Sequence, residues 1–160
     1  MKYEIKNQPF TVLTLHMEQG EAIKCQSGAM AWMSPGIQME TKTGGLGGMF
    51  KKALVGESLA LNHYTAVQAG ELTLAKHSPG DIMVFNISET PIIAQKTAFL
   101  ASTEGVDMEI YLQRRASAGF FGGEGLFNTV VTGPGKVWLQ TMPINALAMN
   151  LYAYMPHPSN

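Results

Sequence analysis

Three sets of residues in this sequence have types and spacings that bear on chemistry. The first is a pair of glycine-rich stretches. Gly44-Gly45-Leu46-Gly47-Gly48-Met49-Phe50 runs into Lys51-Lys52, and Ala118-Gly119-Phe120-Phe121-Gly122-Gly123-Glu124-Gly125 comes later. A phosphate cradle needs Gly-x-x-x-x-Gly-Lys followed by Ser or Thr, so that backbone N–H groups and a lysine surround the phosphates. The first stretch misses both the spacing and the hydroxyl, and neither stretch contains the Gly-x-Gly-x-x-Gly of a dinucleotide site. Both read as tight turns between closely approaching strands.

The second set is four histidines, His16, His63, His77 and His157. A metal site needs imidazoles and carboxylates gathered in defined geometry, and these histidines are scattered, with no His-x-His pair. Each reads as a strand-end or surface residue. The third set is Glu57 and Glu124, which occupy corresponding places after the two glycine stretches, together with the single cysteine, Cys25. Paired carboxylates can serve acid–base catalysis, yet an internal repeat explains their recurrence, as does a turn hydrogen bond or an ion pair with Arg114 or Arg115. Cys25 reads as a small strand residue, not a reactive thiol. No catalytic, cofactor-binding or metal-binding residue is assigned, and the chain is expected not to be an enzyme. His63 meeting Glu57 or Glu124 in a closed pocket would reverse that expectation.

The most suggestive stretch is the loop that carries Leu46, Met49, Phe50, Lys51, Lys52 and Leu54, with Phe120 and Phe121 at the corresponding place later on. Such apolar residues among glycines and lysines are candidates for interaction. The loop could pack on its own domain, dock another subunit or touch an anionic membrane surface.

The elements that would position these residues are almost all strands. Tyr3 and Ile5 alternate with charged residues, and 10–16 is β-rich, so two strands flank Asn7-Gln8-Pro9. A turn at Gln19-Gly20-Glu21 leads into a strand from 22 that continues through 33. Ser34-Pro35-Gly36 is a turn in which glycine permits positive φ, and Ile37, Met39 and Thr41 then alternate as a half-buried strand. Strands follow over 58–66, 71–75 and 82–87.

The pattern then recurs. Residues 95–109 match 26–40 at an offset of 69, pairing Ala98 with Ala29 and Glu109 with Glu40. Gly123-Glu124-Gly125-Leu126 matches Gly56-Glu57-Ser58-Leu59 at 67, and 135–139 matches 70–74 at 65. Ser78-Pro79-Gly80-Asp81 is similar to Glu18-Gln19-Gly20-Glu21. The expectation is one all-β domain over 1–160, a duplicated β-sandwich or barrel with units at about 10–77 and 78–143. Ile144, Leu147, Ala148, Leu151 and Met155 share one helical face, which predicts a closing helix over 144–155, a last strand being the alternative.

Composition narrows the function. Charged residues make up 14% of the 160 and hydrophobic ones 46%, so apolar surface is expected to be hidden in an oligomer or a low-charge globular fold. A net charge of −1 lacks the basic excess that nucleic acid requires. The N-terminus has no apolar core of a signal peptide, and no stretch reaches the roughly 18 apolar residues of a membrane span. The cytoplasm is the expected location.

Several stretches jointly resemble a known family. They are Ser27-Gly28-Ala29-Met30 with Met33-Ser34-Pro35-Gly36-Ile37, the loop 44–58, Pro79-Gly80-Asp81-Ile82, Phe99-Leu100-Ala101-Ser102, Gly122-Gly123-Glu124-Gly125-Leu126-Phe127 and 133–141. Over about 1–150 the chain is similar to the altered inheritance of mitochondria protein 24 family. That resemblance implies a duplicated fold like the tryptophan RNA-binding attenuation protein, a short double-stranded β-helix, whose members tend to form rings or trimers. It carries no established reaction and no catalytic residues. It also implies a link, for mitochondrial members, to inner-membrane organisation. The expected role is thus a non-enzymatic homo-oligomeric scaffold or interaction module without cofactor, with a protein or membrane-surface partner. The alternative is a small-ligand binder with its site between sheets or subunits.

Overall fold

The computed structural model describes residues 1–7, 10–41, 61–77, 79–112, 127–141 and 151. The candidate loop residues Leu46, Met49, Phe50, Lys51, Lys52, Leu54, Phe120 and Phe121 lie outside them, as does all of the expected closing helix except Leu151, whose backbone is helical. The protein is nearly all β, in several antiparallel sheets. In order the strands are β1 Lys2–Lys6, β2 Val12–Met17, β3 Ala22–Gln26, β4 Met30–Met33, β5 Ile37–Thr41, β6 Leu61–Ala66 and β7 Gly70–Ala75. Then come β8 Ile82–Ile87, β9 Ile92–Gln95, β10 Phe99–Thr103, β11 Asp107–Leu112, β12 Phe127–Thr132 and β13 Gly135–Gln140. A single 3₁₀ turn, Lys96–Ala98, separates β9 from β10.

The strands form three sheets, ordered β1-β2-β7-β4, β5-β6-β3-β10-β13-β8 and β11-β12-β9. Alternation places the core. In β2, Leu13, Leu15 and Met17 are buried while Val12, Thr14 and His16 are partly exposed, the period of a strand with one face in the core. These residues pack with Leu72 and Leu74 of β7, Ile23 and Cys25 of β3, and Leu100 and Trp138 of the six-stranded sheet. Tyr3 of β1 meets Trp138 of β13 edge-on, with ring centroids 5.5 Å apart, tying two sheets together. A second core, of Ala94, Phe99, Val106, Val131 and Val137, lies between the six-stranded and three-stranded sheets.

The pairings of the first half return in the second. β2·β7, β4·β7, β3·β6 and β5·β6 in the first half stand beside β8·β13, β10·β13, β9·β12 and β11·β12 in the second, all antiparallel. Even the irregularity recurs: the ladder slips between Met30 and Trp32 in β4, and between Phe99 and Ala101 in β10. One further ladder joins the halves, β3 against β10, with Ala101 opposite Cys25, Ser102 opposite Lys24 and Thr103 opposite Ile23.

Four expectations are corrected. The run 22–33 is not one strand, because Gly28 at φ +83° turns the chain after β3 and sends β4 into a different sheet. Gly36 does not need positive φ. It is small because a Cβ there would stand 2.9 Å from Gln68 Cβ and 3.1 Å from Gln68 O. Met39 does not share the burial of Ile37, being 47% exposed. Residues 78–81 do not take the place of 18–21, since they lead into β8, which pairs with β13 as β2 pairs with β7.

Candidate functional site

Cys25 is buried on β3, and burial pushes its thiol up to about 12, which keeps it protonated and unreactive. His63 on β6 lies with Nδ1 3.1 Å from Glu104 Oε1, so its carboxylate neighbour is Glu104. Glu57, Glu124 and His157 lie outside the described residues. His16 sits between Glu71, at 3.1 Å, and Glu4, at 3.6 Å. Glu4 is held below the ordinary carboxylate range by its hydrogen bond and charge pairing with Lys6. His77 is exposed. Among the described residues, no three His, Cys, Asp or Glu groups are placed to hold a metal ion.

The cavity nearest these groups is an open depression of about 780 Å³ beside Tyr3, Glu4, His16 and Lys136. Its polar groups are on the surface. It offers no desolvated, convergent set of the kind that orients a substrate.

A different arrangement emerges from the strand edges. β4 reads Met-Ala-Trp-Met, and every one of its four residues is exposed. Met30, Trp32 and Met33 leave 36%, 55% and 38% of their surfaces to solvent. One side of β4 pairs with β7, and among the described residues no strand pairs with the other. β9 is likewise paired only with β12, and its Ile93 is 62% exposed. Neither strand carries a charge. Exposed edges are normally blunted by charge, proline or a covering element, as at β1 with Lys2, Glu4 and Lys6 and at β11 with Asp107 and Glu109. An uncharged edge bearing tryptophan and methionine is suited to pairing with another strand. Phe10, Met39 and Met83 are also exposed, but singly.

Sequence reasoning missed this pair of edges. The signal was available in the repeat, because the offset of 69 sets Trp32 against Ala101 and Met33 against Ser102, large apolar residues against small ones.

A sequence profile of the family described as mitochondrial biogenesis AIM24 matches residues 3–150. The chain belongs to that family. A curated relative is an uncharacterized protein of Streptococcus pyogenes serotype M6, 26% identical over 146 residues. The match takes in 86% of this chain and 59% of that relative, so this AIM24 family chain spans about three fifths of the relative's length. The X-ray crystal structure of another Streptococcus pyogenes protein is similar to it with a TM-score of 0.51 and 16% identity, covering 96% of this chain and 99% of that one. At that identity the likeness establishes the fold alone. No helix among the described residues is long and apolar enough to cross a membrane, which says nothing of strands.

Proposed function

We propose that this AIM24 family chain is a non-enzymatic scaffold that works by self-association through strand edges. The observation that carries the reading is β4, where four successive residues are exposed and three of them are Met30, Trp32 and Met33. Burying such a surface releases water from apolar groups and satisfies the free backbone donors and acceptors of an edge. The chemistry of the described residues supports the same reading: the thiol of Cys25 is buried and protonated, and His16 and His63 pair with surface carboxylates.

Two units, at about 10–77 and 78–143, belong to this proposal, as does the assignment to an oligomer. Light scattering on the purified chain at micromolar concentration is the test. A particle mass that is a multiple of 17.3 kDa is expected. A strict monomer across that range overturns the scaffold.

A further inference from the structure

The two open edges are counterparts of the two strands that join the halves of the molecule. By the recurring pairings, β4 corresponds to β10 and β9 to β3. β10 uses one side for β13 and the other for β3, and β4 uses the matching first side for β7. β3 uses one side for β6 and the other for β10, and β9 uses the matching first side for β12. Thus, among the described residues, the β3·β10 junction is made once, and each half retains one unused member of it.

Building on the scaffold reading, we propose that β9 of one copy pairs antiparallel with β4 of a second copy, head to tail, in the register of β3 with β10. Transferring that register by the offset of 69 sets Ala94 opposite Trp32, Ile93 opposite Met33 and Ile92 opposite Ser34. Burial argues for it residue by residue. Phe99, Leu100, Ala101 and Ser102 of β10 are all buried to 0%, whereas their counterparts Met30, Ala31, Trp32 and Met33 are all exposed. The difference lies in the neighbour that β4 lacks among the described residues, since both strands already have their other partner.

Chemistry at the unused junction is consistent with a permanent contact. Lys24 of β3 donates through Nζ to the carbonyl of Val106 at the internal junction, and its counterpart on β9 is the apolar Ile93. Ala94 faces Trp32 in the transferred register, a small residue against a large one. The remaining edges do not compete on these terms. β5 and β11 end their sheets in both halves. Among the described residues β8 is open where its counterpart β2 is covered by β1, but neither takes part in the ladder between halves. Because β4 and β9 are different surfaces, the contact is heterologous, and copies add in one direction until a ring closes or a fibre grows.

The test uses two full-length variants, Met33→Cys and Ile93→Cys, mixed under mild oxidation. Cys25 is buried and stays silent. The expected result is a disulfide-linked dimer in the mixture and none with either variant alone. A second arm measures Trp32→Glu by light scattering, with far-UV circular dichroism as the folding control, and the mass is expected to fall to the 17.3 kDa monomer. Linking within a single variant means that like edges meet, and overturns the proposal. So does an unlinked mixture, or an oligomer that survives in folded Trp32→Glu. In the last two cases the scaffold reading stands and only this contact falls, whereas a monomeric parent chain removes both.

Discussion

Truncating Trp32 to alanine should loosen the assembly without loosening the fold. Trp32 leaves 55% of its surface in water, and with up to roughly 250 Å² available on an aromatic side chain, roughly 100–140 Å² is free to be covered by a neighbour. At about 25 cal/mol per Å² that area is worth at most roughly 2.5–3.5 kcal/mol. Alanine keeps its methyl group, and an edge contact covers only part of the ring, so a loss of about 2 kcal/mol is expected, or about thirty-fold in Kd. Sedimentation equilibrium over a dilution series measures that Kd directly. The fold has its own reporter, because Trp138 is fully buried and is the only other tryptophan. Diluted below Kd, where both proteins are monomeric, Trp32→Ala should keep the parent's thermal midpoint and the emission of a buried indole, since exposed substitutions away from packing cost within about 0.5 kcal/mol. A Kd within threefold of the parent, with the fold intact, would refute the reasoning. It would mean that the exposed tryptophan of β4 is not covered when copies meet.

Further outcomes follow from the interior. Lys76 is half-buried, donates to the carbonyl of Thr97, and has its pKa lowered by burial to about 8. The unfolded chain therefore binds more protons between about pH 8 and the ordinary lysine value near 10.5. Stability should rise with pH across that window, and Lys76→Met should stabilise the protein at pH 7 by about 1–3 kcal/mol, a gain that vanishes above the window in urea titrations. Gly135 has φ +154°, and a Cβ there would lie 2.3 Å from Thr103 Oγ1 and 2.7 Å from Val106 Cγ2. Gly135→Ala should cost about 2–4 kcal/mol, read as a lower denaturation midpoint. Cys25 should resist an aromatic disulfide reagent at pH 8 in the native protein and react fully in denaturant. Fast labelling without denaturant would contradict its burial.

The fold was largely legible because strands announce themselves by period. Val12-Leu13-Thr14-Leu15-His16-Met17 alternates in sequence and alternates in burial. Where the reading failed, the cause was a single residue with more than one use. Gly28 ends a strand inside a run whose composition is uniformly β-like. Gly36 is small for the approach of Gln68, a contact 32 positions away that no local rule contains. The edges were illegible for a related reason. Met30-Ala31-Trp32-Met33 has the composition of a buried strand, and periodicity reports which residues are apolar without reporting how many neighbours a strand has. Only comparison of Trp32 with Ala101 carries that information, since a place filled by alanine inside the molecule holds an indole outside it.

The ladder of β3 with β10 has a consequence for how the chain is made. β2 through β7 can complete their own pairings before β8 has left the ribosome, but β3 must wait for β10, whose first residue follows the end of β3 by 73 positions. At roughly 5–20 residues per second that interval lasts roughly 4–15 s. Throughout it the nascent first half shows an open β3, and any finished β10 from a neighbouring polysome fits it as well as its own. Heavy overexpression should therefore yield domain-swapped products whose halves come from different polypeptides, and slower initiation should suppress them.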